Sequence, residues 1–325
     1  MVLQSEPKIK ANFKGKDILS LDQFDIPSLQ KLFQLTKQMA EIAKKAQPSK
    51  LLAGNIVTLL FYEPSSRTFG SFAAAIKRLG GQTVEIIDPT HFSSVSKGET
   101  FEDTIRVFEA YCNVIVLRHP QTGSAKIAAG AATHVPIINA GDGTGEHPTQ
   151  ALLDLYTIYE KFGRLDNLIG VLAGDMLNGR TVKSLIRGLA LYPKNTIYLL
   201  SPKELALSKE DSTNFQNRGI KLVEIESEKD IPKNAHFWYW TRVQKERFKN
   251  IKDYEKVKNR FVVTIKLLHE RGNKNLILMH PLPRVGEILT EVDSDPRAAY
   301  LRSQIRNGMY IRMALLALIL GKTRQ

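Results

Sequence analysis

Short apolar runs along this chain alternate with longer amphipathic stretches, and the alternation forms two series. The first series has four runs and the second has five, namely NIVTLLF (55–61), TVEII (83–87), NVIVL (113–117) and VPII (135–138), then LIGVLA (168–173), TIYLL (196–200), IKLVE (220–224), HFWYW (236–240) and LILM (276–279). Most runs are continuously apolar rather than alternating, which is typical of strands buried on both faces of a parallel sheet. The amphipathic stretches between them predict helices over 67–79, 100–111, 148–162 and 180–191.

Two such series predict an α/β protein with two doubly wound parallel-sheet domains joined by helices. The length of 325 residues agrees, because about 150 residues per domain is the usual expectation. We place the boundary near 147–150, where Pro148 suits a first helical turn. The stretches 21–45 and 298–320 also predict helices.

Composition excludes several classes of protein. Hydrophobic residues make up 43% and charged residues 24%, as in ordinary globular proteins. The single cysteine, Cys112, excludes a disulfide framework and a multi-cysteine zinc site, and it suits a reducing compartment. No apolar run approaches the ~20 residues that span a bilayer, and the first 16 residues contain no apolar core of a secretory signal. We therefore expect a cytoplasmic protein without membrane attachment; processed import into an organelle stays open.

The net charge of +13 is unevenly distributed along the chain. Its basic second half could indicate nucleic-acid binding. However, the lysines of KNIKDYEKVKNR (249–260) alternate with apolar residues as on a solvated surface, and no nucleic-acid-binding motif accompanies them. We favour a solvated surface that attracts small anions over a nucleic-acid partner.

Ligands of open parallel sheets bind beyond the carboxyl ends of the strands, so the residues that follow each apolar run are the candidates for a site. After the first run comes EPSSRT (63–68), where Ser65, Ser66, Arg67 and Thr68 open a helix. Hydroxyls, a guanidinium and the N–H groups of a helix start suit a phosphate. The alternative is that the two serines only cap the helix and that Arg67 is a surface residue.

Two further stretches follow the third and fourth runs. Arg118 stands at a strand end, where a lone arginine more often forms a surface ion pair than a ligand contact. The loop NAGDGTGEHPTQ (139–150) does not match the dinucleotide-binding glycine pattern, but it brings His147 and Gln150 one helical turn apart. Helix capping by a polar loop is the alternative there.

The stretch GDMLNGRT (174–181) nearly matches a phosphate-binding P-loop, with Arg180 in place of the lysine. A nucleotide triphosphatase must therefore be considered. No apolar run ends in the aspartate that would hold magnesium, and Asp175 stands where phosphate would lie. We favour an arginine presented from a glycine turn to bind a carboxylate.

The last candidates follow the two final runs. Arg242 and Gln244 alternate along TRVQ (241–244), so both can face one cleft. In HPLPR (280–284) the prolines Pro281 and Pro283 remove two backbone donors and stiffen the turn. Histidines with metal-ligand spacing are missing from the sequence, so we predict neither a metal nor another cofactor.

The candidates share one chemical character, because they are cations or neutral donors: Arg67, Arg118, His147, Gln150, Arg180, Arg242 and Gln244. A Ser-His-Asp set, paired carboxylates and a reactive cysteine are all missing from the motifs. This inventory suits group transfer between anionic substrates by positioning and electrostatic stabilisation, without a covalent intermediate.

At these residues the sequence resembles the aspartate carbamoyltransferase family, and its motifs are closer to those of the eukaryotic branches. The resemblance rests on FYEPSSRT (61–68), SVSKGE (94–99), LRHP (117–120), NAGDGTGEHPTQALLDL (139–155), GDMLNGRT (174–181), TRVQKERF (241–248), MHPLPR (279–284) and DPRAAYLRSQIRNGMYIRMALL (295–316). It implies transfer of the carbamoyl group of carbamoyl phosphate to the amine of L-aspartate, a step of de novo pyrimidine biosynthesis. It also implies a carbamoyl-phosphate domain over 1–148 plus a returning C-terminal helix at about 300–325, and an aspartate domain over 149–299.

The resemblance implies a role for each matching residue. Catalytic roles fall to Arg67, Thr68, Arg118 and His147. Carbamoyl phosphate would be bound by these four with Ser65, Ser66, Gln150 and the backbone carbonyls of Leu282 and Pro283. Aspartate would be bound by Lys97, Arg180, Arg242 and Gln244.

The resemblance also implies a homotrimer in which Lys97, with Ser93 nearby, reaches a neighbouring subunit's site. The chain departs from many relatives at Leu177 and Lys183, which puts contacts through that helix in doubt. Three alternatives remain: a carbamoyltransferase for another amino acid such as ornithine, a non-catalytic anion-binding homologue, and the P-loop nucleotidase. The ornithine branch has a cysteine where this chain has Pro281.

Overall fold

The computed structural model describes residues 7–45, 49–92, 98–244, 248, 250–258 and 260–323. The chain divides into two compact units. Unit 1 comprises the described residues of Met1–Leu153 and Arg306–Gln325, and unit 2 comprises those of Asp154–Ile305. Ser93 and Lys97 lie outside the described residues.

Unit 1 contains a four-stranded parallel sheet with the strand order β2-β1-β3-β4. Its strands are β1 (Ile56–Phe61), β2 (Gln82–Ile87), β3 (Val114–His119) and β4 (Ile137–Asp142). Its helices are α1 (Ile26–Ala43), α2 (Ser66–Arg78), α3 (Pro89–Phe92), α4 (Phe101–Glu109) and α5 (Ser124–Ala131). The inner strands β1 and β3 are almost wholly buried, whereas the edge strand β2 is half exposed.

Unit 2 contains a five-stranded parallel sheet with the order β7-β6-β5-β8-β9. Its strands are β5 (Ile169–Ala173), β6 (Thr196–Leu200), β7 (Lys221–Ile225), β8 (Phe237–Trp240) and β9 (Ile277–Met279). Its helices are α7 (Arg180–Leu189), α8 (Lys209–Asn217), α9 (Ile251–Val257) and α10 (Ile265–Arg271). Its core includes Trp238, Trp240 and Tyr300, all fully buried.

Two helices carry the chain from one unit into the other, as the predicted fold class requires. Helix α6 (Pro148–Phe162) contains the first transition, between Leu153 and Asp154, and helix α11 (Ser303–Ile319) contains the return. The C-terminal part of α11 therefore belongs to unit 1. The predicted class of two parallel-sheet α/β domains with a returning C-terminal helix is confirmed.

The predicted helix over 21–45 is interrupted. Leu21–Gln23 forms a 3₁₀ turn, Phe24 is extended, and α1 begins only after Asp25. The Asp25 carboxylate accepts a hydrogen bond from the backbone N–H of Ser28, so it caps a new helix instead of continuing the first one. The helical spacing of apolar residues continues through this break, so the break cannot be predicted from that spacing.

The strand β4 extends further than its apolar run predicts. Asn139 and Asp142 lie in the strand, although both were expected in a loop. The backbone N–H of Asn139 donates to the carbonyl of Ile18, and its side-chain amide donates to the carbonyl of Leu19. These partners from the N-terminal segment allow a polar residue to be buried in the strand.

Candidate active site

Each sheet has one point where the strand order reverses direction. In unit 1 the reversal lies between β1 and β3, and in unit 2 it lies between β5 and β8. Open parallel sheets bind ligands beyond the carboxyl ends of the strands at such switch points. Four of the predicted motifs follow these four strands, so the topology gives each unit one candidate subsite.

In unit 1, Arg118 lies at the end of β3 beside the end of β1. Its Nη2 atom lies 2.8 Å from Oε2 of Glu63, and its Nη1 donates to the carbonyl of Ala140 at 3.1 Å. Only 8% of Arg118 is exposed, and burial lowers the pKa of its guanidinium while the Glu63 charge opposes that shift. Arg118 therefore forms an ion pair, as the alternative predicts. However, the arginine is buried at the switch point and does not lie on the surface.

The start of helix α2 presents the EPSSRT residues. Ser65 occupies the N-cap position without making a side-chain capping hydrogen bond. Thr68 is buried, whereas Ser66 and Arg67 are exposed. The capping alternative is therefore not seen for Ser65, and the helix start combines backbone N–H groups with hydroxyls, as an anion site requires.

The acidic residues of the 139–150 loop fold the loop itself. The carboxylate of Asp142 accepts from the backbone N–H groups of Gly123 and Glu146, and Glu146 accepts from the Ser20 hydroxyl at 2.6 Å. The backbone N–H of Gly143 donates to the carbonyl of His119. Hydrogen bonds thus join the loops after β3 and β4, and the carboxylates of the second loop accept hydrogen bonds from the protein itself.

His147 and Gln150 stand at the start of α6. His147 is 4% exposed, and its Nδ1 lies 3.4 Å from the hydroxyl of Thr149. The backbone N–H of Gln150 donates to the carbonyl of His147, which puts the two residues in one helical turn, as predicted. Unit 1 therefore carries cations and neutral donors at the ends of β1, β3 and β4.

In unit 2, the loops after β5 and β8 approach very closely. Gly174 has a φ of +113°, and a Cβ atom there would lie 2.2 Å from the carbonyl oxygen of Thr241. The Thr241 hydroxyl accepts the backbone N–H of Asp175 and donates to the carbonyl of Ala173. Only glycine permits this approach, which brings GDMLNGRT beside TRVQ.

Asp175 closes the turn between β5 and α7. It is fully buried, and its carboxylate accepts the backbone N–H of Asn178 at 2.9 Å. Gly179 packs so closely that a Cβ would lie 2.3 Å from the carbonyl of Asp175. The turn is wrapped around its own carboxylate, a geometry unsuited to the phosphates of a P-loop nucleotidase.

Arg180, Arg242 and Gln244 follow the two strands at this second switch point. Arg180 is the first residue of α7, and the amide of Gln244 donates to the carbonyl of Asn178 at 3.2 Å. Arg242 and Gln244 are half-buried, while Val243 between them is buried against Leu205 and Val257, so the predicted alternation is present. Two arginines and an amide after two neighbouring strands suit carboxylate recognition.

The turn after β9, residues 280–285, is called the proline turn below. Leu282 has a φ of +55°, and the Leu282–Pro283 peptide bond is cis. His280 and Glu287 form a buried pair at the base of the turn, with 2.7 Å between Nε2 and Oε1. Burial raises the pKa of Glu287, but the hydrogen bonds from His280 and from the backbone N–H of Val285 outweigh it, so the pKa lies below its usual value.

Some contributing residues escaped the sequence analysis. The pairing of Phe61 with Arg118 in the sheet is what brings Glu63 to Arg118, and only the register shows it. Glu287 was missed because a lone glutamate seven residues after a histidine has no sequence signature. Lys183, one of the two residues at which the chain departs from many relatives, forms an ion pair at 2.8 Å with Asp211 of α8 in unit 2.

Within the described ranges, no group of three or more histidine, cysteine, aspartate or glutamate side chains is arranged to hold a metal ion. In the same part of the chain, none of the helices combines the length and the apolar character needed to cross a membrane.

Comparisons with known proteins also find two domains along the chain. The family described as aspartate/ornithine carbamoyltransferase matches twice, with its carbamoyl-P binding domain over residues 16–160 and its Asp/Orn binding domain over residues 166–319. The chain is similar to the catalytic subunit of aspartate carbamoyltransferase from Hyperthermus butylicus, at 44% identity over 96% of this chain and 98% of the relative. It is 43% identical to the chloroplastic enzyme of Arabidopsis thaliana, over 98% of this chain and 81% of that protein.

A longer relative is the multifunctional protein pyr1-3 of Dictyostelium discoideum, which is 47% identical over 94% of this chain. The chain spans only 14% of that protein. Among solved structures, the catalytic subunit of M. jannaschii aspartate transcarbamoylase has a TM-score of 0.87 and 42% identity, covering 94% of this chain and 98% of its own. Aspartate transcarbamoylase from Trypanosoma cruzi in complex with carbamoyl phosphate has a TM-score of 0.88 and 38% identity, covering 97% and 98%.

The domain matches account for both units in the order in which the chain forms them, and the full-length relatives are named for aspartate rather than ornithine. The chain belongs to the aspartate/ornithine carbamoyltransferase family, on its aspartate carbamoyltransferase side.

Proposed function

We propose that this chain transfers the carbamoyl group from carbamoyl phosphate to the amine of L-aspartate, giving N-carbamoyl-L-aspartate and phosphate in de novo pyrimidine biosynthesis. The observation that carries the proposal is the pair of cationic switch points, with Arg118 beside the EPSSRT helix in unit 1 and Arg180 with Arg242 in unit 2. One carries the groups that a phosphate needs, and the other carries the groups that a dicarboxylate needs.

Each residue has a task in this reaction. The start of α2, with Ser65, Ser66, Arg67 and Thr68, binds the phosphate. Arg118, His147, Gln150 and Thr68 hold the carbonyl end, and the carbonyls of Leu282 and Pro283 accept the carbamoyl NH₂. Arg180, Arg242 and Gln244 bind the carboxylates of aspartate.

The chemistry needs no covalent intermediate on the protein. The neutral aspartate amine attacks the carbamoyl carbon, and a tetrahedral oxyanion forms. The bond between the carbon and the phosphate oxygen then breaks, and the leaving phosphate takes the proton that the amine nitrogen loses. The positive groups stabilise the charge that develops on the oxyanion and the leaving phosphate. Structures of the Trypanosoma cruzi relative are described as complexes with carbamoyl phosphate and aspartate, and with carbamoyl aspartate and phosphate, which supports the same substrates and products here.

Ornithine is the second candidate acceptor. It differs by a cationic side chain, which two neighbouring arginines would repel at the unit 2 switch point. The chain should be incubated with carbamoyl phosphate plus aspartate, with carbamoyl phosphate plus ornithine, and with ATP alone. Carbamoyl aspartate is the expected product; citrulline, released phosphate from ATP, or no product at all would contradict the proposal.

The assembly is part of the proposal. We infer a homotrimer in which Lys97, with Ser93 nearby, completes the aspartate site of a neighbouring subunit. The support is the family resemblance of SVSKGE (94–99). Light scattering should show a mass of three chains, and a monomer would contradict the trimer.

For localisation we propose the cytoplasm, supported by the single cysteine, which suits a reducing compartment. The plant relatives carry the description chloroplastic, so an organelle is the competing destination. Cell fractionation of the native protein with antibody detection distinguishes them.

A further inference from the structure

The proline turn is held by two buried side chains to which the proposed function gives no role. The side chains of His280 and Glu287 are only 1% and 5% exposed. Both lie at the base of the turn whose carbonyls, at Leu282 and Pro283, are assigned to the carbamoyl NH₂. The contacts of these two residues decide how the turn is shaped.

The two ring nitrogens of His280 have opposite roles. The backbone N–H of Leu282 donates to Nδ1 at 2.8 Å, so Nδ1 carries no proton. The ring proton therefore sits on Nε2, which donates to Oε1 of Glu287 at 2.7 Å. The other carboxylate oxygen of Glu287 accepts the backbone N–H of Val285 at 2.9 Å. One carboxylate thus fixes the tautomer of His280 and the far end of the turn.

Leu282 needs this support because of its backbone conformation. Its φ of +55° lies in the left-handed region, which residues with a Cβ adopt only when their surroundings impose it. The hydrogen bond from its N–H to His280 is such a constraint. A proton on Nδ1 would make this nitrogen a donor that faces the N–H donor of Leu282, so the hydrogen bond between them would be lost.

The base of the turn is fixed independently. The backbone N–H of His280 donates to Oε1 of Gln304 at 2.9 Å, and the Gln304 amide donates to Asp154 at 2.7 Å. Asp154 also accepts the hydroxyl of Tyr239 at 2.9 Å. These buried contacts hold the backbone of His280, so a change of the ring's tautomer acts on the turn beyond it.

We propose that Glu287 is a positioning residue for carbamoyl transfer, which holds His280 as the Nε2–H tautomer so that Nδ1 can fix Leu282 and aim the carbonyls of Leu282 and Pro283. The inference rests on the proposed function, which assigns those carbonyls to the substrate. Glu287 itself touches no substrate in this scheme.

The variant Glu287→Gln tests the role without changing the side-chain size. Its amide offers one acceptor oxygen where the site uses two, one toward Nε2 and one toward Val285. If the NH₂ group faces Nε2, the ring proton must move to Nδ1 and the Leu282 bond is lost. If it faces Val285, the other end of the turn is released. Glu291→Gln is the matched control, because Glu291 is exposed and its carboxylate accepts the backbone N–H of Ile265, which lies outside the proline turn.

We expect Glu287→Gln to lower kcat by at least about tenfold, since a misplaced group can cost up to ~10²-fold. The KM for aspartate should stay within about twofold, because the aspartate groups are untouched. Glu291→Gln should match the wild type in both. An unchanged kcat in Glu287→Gln, or an aspartate KM that rises as much as kcat falls, would overturn the inference; the second result would indicate general loosening of unit 2.

A second background isolates the tautomer. In His280→Asn the amide oxygen can accept the Leu282 N–H without any choice of tautomer, as asparagine does in turns. Adding Glu287→Gln to this background should therefore lower kcat by less than it does in the wild-type chain, because only the Val285 contact remains to be lost. The same fall in both backgrounds would show that Glu287 acts by another route.

Crystal structures of the variants give a readout that does not depend on activity. In Glu287→Gln, the hydrogen bond from Leu282 to His280 or that from Val285 to residue 287 should be lost, whereas Glu291→Gln should keep both. Retention of both bonds in Glu287→Gln overturns the inference. A wild-type chain that forms no carbamoyl aspartate would instead overturn the proposed function, and the crystal structures would still decide the role of Glu287.

Discussion

Arg118 and Arg67 differ in burial, although both lie at the unit 1 switch point. Arg118 is buried and held by Glu63 and the carbonyl of Ala140, so its position is fixed before any ligand binds. Arg67 is exposed at the start of α2. An arginine that is already ordered loses little side-chain entropy on binding, so we expect Arg118 to orient the substrate and Arg67 to respond to its charge.

Arg67→Ala should lower kcat more than it changes the KM for aspartate. The guanidinium faces charge that builds up on the oxyanion and the departing phosphate, so its effect is largest in the transition state. Loss of one such donor typically costs ~10²–10³ in kcat. Steady-state kinetics should be compared with Arg106→Ala, an exposed arginine paired with Asp103 in α4. A near-normal kcat with only a raised KM would contradict this role.

Arg242→Ala should mainly raise the KM for aspartate, because a carboxylate contact exists before and during the reaction. A hydrogen bond to a charged group contributes about 1.5–3 kcal/mol, which corresponds to a rise of about 10–100-fold. Aspartate saturation should be measured at saturating carbamoyl phosphate. Arg218→Ala, at the exposed end of α8, serves as the control. Unchanged saturation in Arg242→Ala would exclude the assignment.

At the scale of elements, the site depends on how closely two strand ends can approach. The loop after β5 passes so near Thr241 that Gly174 has no room for a Cβ atom. The same approach brings Arg180 toward Arg242 and Gln244, since the amide of Gln244 already donates to the carbonyl of Asn178. Packing at this glycine and the aspartate site are therefore coupled.

Gly174→Ala should destabilise the chain by more than Gly219→Ala. Both glycines have positive φ, but a Cβ at Gly219 meets open space. The control thus carries only the conformational cost of about 1–3 kcal/mol, while Gly174→Ala adds overlap with the backbone of Thr241. Urea unfolding measures both free energies, and equal losses would show that the close approach is relaxed at little cost.

Arg284 gives the proline turn a pH-dependent anchor to the segment that follows it. It donates to Asp293, which also accepts the hydroxyl of Tyr300. The Arg284 hydrogen bond lowers the pKa of Asp293, against a smaller opposing effect of burial. A carboxyl whose folded pKa is lowered contributes stability above its unfolded pKa of about 3.9 and loses it as the pH falls through the folded value.

Asp293→Asn should therefore lower the free energy of unfolding at pH 5, and the difference from the wild type should shrink as the pH falls below about 4. Urea unfolding at pH 5, 4 and 3 measures this. Asp230→Asn, at an exposed position, is the comparison. A difference that stays constant across this range would show that the ion pair does not set the stability.

At the scale of the whole molecule, each unit has its own sheet and core, and each carries one switch point. Two substrates can thus be recognised by two separately folded units. A trimer that shares Lys97 would add a third contribution from a neighbouring chain. The shared site predicts a result that a single-chain site cannot give.

Lys97→Ala and Arg67→Ala chains should each be nearly inactive alone and recover activity when mixed. In a mixed trimer, one interface joins an intact Lys97 to an intact Arg67. With cyclic symmetry and random exchange, about three-quarters of the trimers are mixed, each with one native site in three, so roughly a quarter of wild-type activity should return. The chains should be dissociated, mixed equally, reassociated and assayed. No recovery, with exchange demonstrated, would mean that Lys97 acts within its own chain or not at all.

The architecture and the chemical character of the candidate site can be predicted from the sequence. Continuous apolar runs separated by amphipathic stretches can bury their surface in few ways other than parallel sheets with covering helices. The polar motifs follow those runs, so their place at the strand ends follows from the strand assignments alone. The family motifs then supplied a role for each residue.

The partners that hold these residues become known only from the folded chain. Glu63 reaches Arg118 through the register of β1 and β3, and Gly174 is needed because β8 lies beside β5. The carboxylates of Asp142 and Asp175 accept backbone N–H groups and so fold their own loops. Strand pairing brings together residues that are far apart in the sequence, and hydrophobic periodicity carries no information about which strands pair.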